Sequence, residues 1–140
     1  MSQENLEAVR AVYKRWRDGD FHSTVDLLDP HVVLVLDPRF AASIFGPSHG
    51  GNAYYGAEAV AEYTRTLLEP MRHLTMEAEE IIEAENSVLV AVHQQGAGST
   101  SGAPIEIRYF TLWTFRGGKA IRIESFPERG VALEAAGLSE

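Results

Sequence analysis

The stretch IEIRYFTLWTF, Ile105–Phe115, decides how this chain folds. Its odd-numbered positions are Ile105, Ile107, Tyr109, Thr111, Trp113 and Phe115, whereas Glu106, Arg108 and Thr114 punctuate the even set. Successive side chains of a strand point to opposite faces, so this period of two marks a strand with one buried face. The odd set is the predicted core face, with Thr111 a single hydroxyl in an apolar aromatic stripe. The even set also holds Phe110 and Leu112, too apolar for free solvent, and reads as an intersubunit sheet surface.

The segments around it continue the alternation. Strands are predicted over His73–Ala84, Ser87–Gln95 and Ala120–Phe126, with GAGSTSGAP and RGGK supplying hairpin turns. In the last strand Ile121, Ile123 and Ser125 face inward, against Arg122 and Glu124. SVLVAVHQQ, Ser87–Gln95, is ambiguous. Leu89, Ala91, His93 and Gln95 lie opposite Val88, Val90, Val92 and Gln94, and both sets are apolar. Periodicity therefore does not say where His93 points. ERGVALEAAGLSE closes the chain as a short helix stopped by Gly137.

The N-terminal half has the helical period instead. Ser2 is a plausible N-cap, and Leu6, Val9, Tyr13 and Trp16 form one apolar stripe, ended by Asp18-Gly19-Asp20. A short second helix through Val25, Leu27 and Leu28 stops before Pro30. HVVLVLDP is a strand ended by Asp37-Pro38. Residues 39–56 form a long irregular loop, the pattern of a lid or mouth. AEAVAEYTRTLLEP then makes a third helix, with Val60, Tyr63 and Leu67 on one face. Helices first and antiparallel strands afterwards indicate a single α+β domain over 1–140, helices packed on one face of a bent sheet.

Composition narrows the function classes. The 140 residues carry 12 Lys+Arg against 20 Asp+Glu, a formal charge of −8, and four of those cations (Arg10, Lys14, Arg15, Arg17) lie on the first helix. Duplex binding needs a clustered basic face, so no nucleic-acid partner is expected. There are no cysteines, which removes disulfides, thiolate metal sites and cysteine nucleophiles. MSQENLEAVR shows no basic region followed by an apolar run, and no stretch approaches a membrane span. The expectation is a cytoplasmic protein with no membrane partner. His22, His31, His49 and His73 have no ligand spacing, so no metal and no other cofactor is expected. Dinucleotide and phosphate-loop motifs are missing.

The order of elements resembles a known family. An N-terminal helix closed by DGDF, a segment ending LLDP, a strand ending Asp37-Pro38, YYGAEAV opening a helix, and the closing LWTFRGGKAIRIESFPERGVALEAAGL carry the resemblance. The whole chain is similar to the SnoaL-like branch of the nuclear transport factor 2-like superfamily. That likeness implies a cone-shaped curved antiparallel sheet wrapped around three helices of the N-terminal half, and a pocket open at one end. It also implies a homodimer through the outer sheet face, consistent with Phe110 and Leu112. The superfamily spans polyketide cyclases, ketosteroid isomerase, dehydratases and proteins without known activity, so the fold does not choose the reaction. Matched to ketosteroid isomerase, Asp37-Pro38 falls at the general-base Asp-Pro, and His93 falls on the pocket side. The oxyanion-hole tyrosine falls at Val12, beside Tyr13, and the protonated aspartate at Thr111. Neither of those donors is matched.

The candidate site follows. Asp37 is the candidate general base and His93 the second catalytic group, while Tyr13, Trp16, Tyr55, Tyr63, Ala91, Gln95, Tyr109, Thr111, Trp113, Ile123 and Ser125 are candidates for lining a pocket for a small hydrophobic molecule. Arg39, His49 and the pair Tyr54–Tyr55 belong to the mouth loop and are further candidates for substrate contact. Each has a plainer reading. An Asp before Pro is a common turn residue, His93 can be a hydrogen-bonded core histidine, and the aromatics can simply be packing. Two functions stay open: a cyclase, isomerase or dehydratase acting by acid/base catalysis on a hydrophobic carbonyl compound, or a module that binds or dimerises without turnover.

Overall fold

The structure, a computed structural model, describes residues 2–18, 26–38, 53–68, 71–84, 86–98 and 104–138. It is an α+β cone: six strands in one curved, mostly antiparallel sheet, with helices on it. The chain runs α1 (Ser2–Arg17), β1 (Leu28–Leu36), β2 (Ala53–Tyr55), α2 (Ala57–Leu68), β3 (Met71–Glu83), β4 (Ser87–Gly98), β5 (Pro104–Arg116), β6 (Lys119–Phe126) and α3 (Arg129–Ala135). The strand order is β2-β1-β6-β5-β4-β3, and β1 pairs with β6 in parallel. Register shifts in β1–β6, β3–β4 and β5–β6 interrupt the ladder, and such irregularities bend and twist a sheet.

The β5 alternation holds as predicted. Tyr109, Thr111, Trp113 and Phe115 are buried on the inner face, opposite Val92, Val90 and Val88 of β4. β6 adds Ile123 and Ser125, and β1 adds Leu34 and Leu36 in the same rows. Ile121 is a correction. It sits at the bulge where the pairing jumps from Thr114–Arg122 to Phe115–Ala120, so Ala120 takes the inner position. α1 packs Val9, Val12 and Tyr13 onto this face, with Leu6 and Trp16 beside them. Each fully buried Val or Leu side chain contributes about 1.5–3 kcal/mol of transfer free energy, which makes this inner cluster the main stabilising term.

Three expectations are revised. Leu28 belongs to β1, not to a second helix; Pro30 is tolerated because it falls in the ladder gap between Leu28–Ala120 and Val33–Arg122. Of that helix, residues 19–25 lie outside the described residues. The supposed loop 39–56 ends in a strand: β2 pairs Tyr54 with Leu34 on the sheet edge. Residues 39–52, with Arg39 and His49, lie outside the described residues. The third described helix is C-terminal, and it changes the reading of Phe110 and Leu112. α3 lays Ala132 and Leu133 over Leu89, Leu112 and Phe126, with Phe110 at the margin. This part of the outer face is covered by the chain itself, not left for another subunit. The RGGK turn is a two-residue hairpin between Arg116 and Lys119, and both glycines take positive φ (59° and 80°), which non-glycine residues adopt only with strain.

Candidate functional site

The inner face is apolar except for one band of hydroxyls and amides. Thr111 lies between Val90 of β4 and Ser125 of β6, with Leu36 of β1 next in the row. One residue beyond β1, half-buried Asp37 donates its backbone N–H to the Ser125 carbonyl at 2.9 Å. The end of β1 is thereby tied to the Ser125–Thr111 row. From α1, Tyr13 accepts a hydrogen bond from Trp113 Nε1 at 3.3 Å and also engages Thr111. Tyr109 donates to Gln94 Oε1 at 3.0 Å. Two buried polar pairs are thus satisfied within the face, as burial requires.

Aromatic rings surround the band. Tyr13 meets Trp16 and Trp113 edge-on, at centroid distances of 5.1 and 6.2 Å. Trp16 and Trp113 lie 6.1 Å apart, and on the far side Tyr63 of α2 packs on Tyr54 at 4.7 Å. The Trp16 indole Nε1 is buried and has no hydrogen-bond partner.

Burial governs the chemistry of the phenols. It pushes the Tyr13 hydroxyl above its ordinary 10.0, with the Trp113 and Thr111 hydrogen bonds pulling partly back. Tyr63 rises through burial and then through Tyr54, and Tyr109 rises through burial and then through Tyr13 and Tyr63. All three stay protonated at neutral pH, so they can donate hydrogen bonds but do not serve there as phenolate bases. The inner positions of β1, β4, β5 and β6 carry no Asp, Glu, Lys or Arg between the strand ends. Among the described residues no group of three or more His, Asp and Glu is placed to hold a metal ion.

The structure brings together Tyr13, Trp16, Tyr63, Tyr109, Thr111, Trp113, Ile123 and Ser125 on or around the inner face. It separates Ala91, His93 and Gln95 from them. Those three pair with Phe110, Arg108 and Glu106 and lie on the outer face. The match to ketosteroid isomerase put His93 on the wrong side, because one residue of register inverts every side chain of a strand. Tyr55 is 71% exposed, and its neighbour Tyr54 is the one that turns inward. Sequence reasoning therefore missed Gln94 as an inner polar group and placed Tyr54 only in a mouth loop, not on a strand of the inner face. The signal for Gln94 was its parity with Val88, Val90 and Val92.

Likeness to known proteins agrees with this architecture. The SnoaL-like domain model matches residues 9–123. Among solved structures, TerC co-crystallised with polyporic acid is 23% identical, with 95% of this chain and 97% of that one covered at a TM-score of 0.71. A protein assigned as a SnoaL-like polyketide cyclase from Jannaschia sp. CCS1 is 20% identical, covering 96% and 92% at 0.71. SalBIII, an epoxide hydrolase/cyclase-like enzyme of pyran ring formation in polyether salinomycin, is 18% identical, covering 89% and 90% at 0.69. At these identities the likeness establishes the fold alone. No match is found among curated proteins. With the family model spanning most of the sequence, the chain belongs to the SnoaL-like domain family.

Proposed function

We propose that the inner face binds a small hydrophobic carbonyl compound and moves a proton on it, in a cyclisation, isomerisation or dehydration. The observation that carries this reading is a pair of protonated donors, Thr111 in the row that ends at Leu36 and Tyr13 bonded to it from α1, with Asp37 following Leu36 and tied by its backbone to Ser125. In the proposed step the Asp37 carboxylate takes a proton from the carbon next to the carbonyl. The electron pair of that C–H bond forms the carbon–carbon double bond of an enolate, the carbonyl π pair moves onto oxygen, and hydroxyl donors stabilise the oxyanion. Asp37 then returns the proton to carbon, or to a leaving oxygen in a dehydration. The neighbours support the reading by their chemistry: one is bound to polyporic acid and another takes part in pyran ring formation.

The test is exchange of the α-hydrogens of 1-indanone in D2O. The protein is expected to accelerate exchange, and Asp37→Asn to lower that acceleration by about 10²–10⁴-fold while 1-indanone still binds. Unchanged exchange in the variant overturns the base assignment. Binding with no acceleration by the unaltered chain would favour a binding module, a reading supported by the removal of His93 from the inner face. A cytoplasmic location belongs to the same proposal. So does a homodimer through the outer face beyond the reach of α3, which sedimentation velocity checks.

A further inference from the structure

The Trp16 side chain poses a question that packing does not answer. An indole N–H buried without an acceptor loses the hydrogen bond it makes to water in the unfolded chain, so such donors are rare in native interiors. The second tryptophan of the chain shows the usual solution, since Trp113 Nε1 is bonded to the Tyr13 hydroxyl. Trp16 stands one helical turn beyond Tyr13, with its ring against both Tyr13 and Trp113. Its Nε1 nevertheless meets no acceptor among the described residues. The Tyr13 oxygen is already engaged by Trp113 and Thr111.

We propose that Trp16 Nε1 donates to an uncharged oxygen of the bound molecule, making Trp16 a specificity-determining residue for ketones, ethers or alcohols over hydrocarbons of the same shape. The inference rests on the inner face being a binding site, as argued above. Three observations give it its chemistry. The donor is buried and unpartnered, so an incoming acceptor gains a bond without displacing a protein partner. The ring contacts around it are aromatic, which suits a flat apolar body attached to that oxygen. No lysine or arginine occupies the inner positions of β1, β4, β5 or β6 between the strand ends, so nothing there compensates a carboxylate.

The experiment uses 1-indanone and indane, which differ in one carbonyl oxygen. The chain has two tryptophans, so a proton–nitrogen correlation spectrum of the intact protein carries two indole signals. Trp16→Phe assigns them. The Trp16 indole proton should move downfield as 1-indanone is added and much less with indane, while the Trp113 proton, already bonded, stays near its place. Trp16→Phe keeps an aromatic ring, smaller than the indole, but not the donor, and should weaken 1-indanone about tenfold more than it weakens indane. If both compounds bind and the ketone is favoured neither by the Trp16 signal nor by the variant, the inference is overturned and the binding reading stands. If neither compound perturbs any inner-face resonance, the reading of the face as a site for such molecules fails, and the inference with it. Should Trp16→Phe not fold, sequential assignment of the unaltered chain identifies the Trp16 indole signal, and its shift with the two compounds decides.

Discussion

His93 shows how one side chain can have a full set of partners without belonging to the candidate site. Its ring is buried on the outer face, with Nε2 at 3.1 Å from Glu106 Oε2 and Nδ1 at 4.0 Å from Glu79 Oε2. The Gln95 amide nitrogen lies over the same ring, 3.1 Å from Nε2 and 3.3 Å from Nδ1. Arg108 donates to Glu79 at 3.1 Å, so the cluster ties β3, β4 and β5 together across the convex surface. Because Glu106 and Arg108 are more than half exposed, solvent screens these pairs and each contributes little. His93→Ala should therefore cost about 1 kcal/mol, read as a fall of about 4 °C in thermal midpoint. Exchange of 1-indanone α-hydrogens should stay within twofold of the unaltered chain. A large loss of exchange in this variant would show that the inner-face site depends on His93 after all.

At the scale of elements, α3 explains both a stable sheet and a misread one. Its Leu133 and Ala132 fill a second apolar cluster with Leu89, Leu112 and Phe126, and Arg129 pairs with Glu80 at its margin. Leu133→Ala should lose about 2–4 kcal/mol in urea unfolding, the cost of a buried leucine and the cavity it leaves. A loss below 1 kcal/mol would mean that α3 lies loosely on the sheet. This same cover is why β4 could not be oriented from sequence. A strand covered on both faces reads as a continuous apolar run, and periodicity has nothing to grip. β5 was legible because Glu106 and Arg108 stand beyond the end of α3 and mark the outer face with charge. The glycine pair at 117–118 was legible for a local reason, the positive φ of the hairpin. β2 was not, since three residues are too few to show a period. Of the candidate site, the β5 and β6 positions followed from alternation, whereas Tyr54 depended on pairing between segments distant in sequence, and the parity of Gln94 with Val88, Val90 and Val92 became usable only once the pairing with β5 fixed the inner face of β4.

For the molecule as a whole, the three buried phenols couple the inner face to global stability. Tyr13, Tyr63 and Tyr109 each hold their proton more tightly in the folded chain than at the ordinary 10.0, chiefly because burial opposes the phenolate. A raised value of this kind leaves stability intact below the unfolded value. Above it the unfolded chain releases protons that the folded chain retains, so stability falls as pH rises. Each retained proton contributes about 1.4 kcal/mol per pH unit, so three together set a limit of about 4 kcal/mol per unit above pH 10. The prediction is a urea stability that is insensitive to these tyrosines from pH 7 to 9.5 and drops steeply from pH 10 to 11.5. Tyr109→Phe should reduce that slope by about a third. Tyr13→Phe should do the same while also lowering stability at pH 7, because Trp113 loses its acceptor. The slope, rather than the stability, separates ionisation from packing. Phenolate absorbance in the folded chain gives an independent check, because buried tyrosines should ionise only as the chain unfolds. A folded protein in which Tyr13 and Tyr109 ionise near pH 10 would have a wet inner face. It would also deprive the proposed enolate of the dry, protonated donors on which the reaction depends.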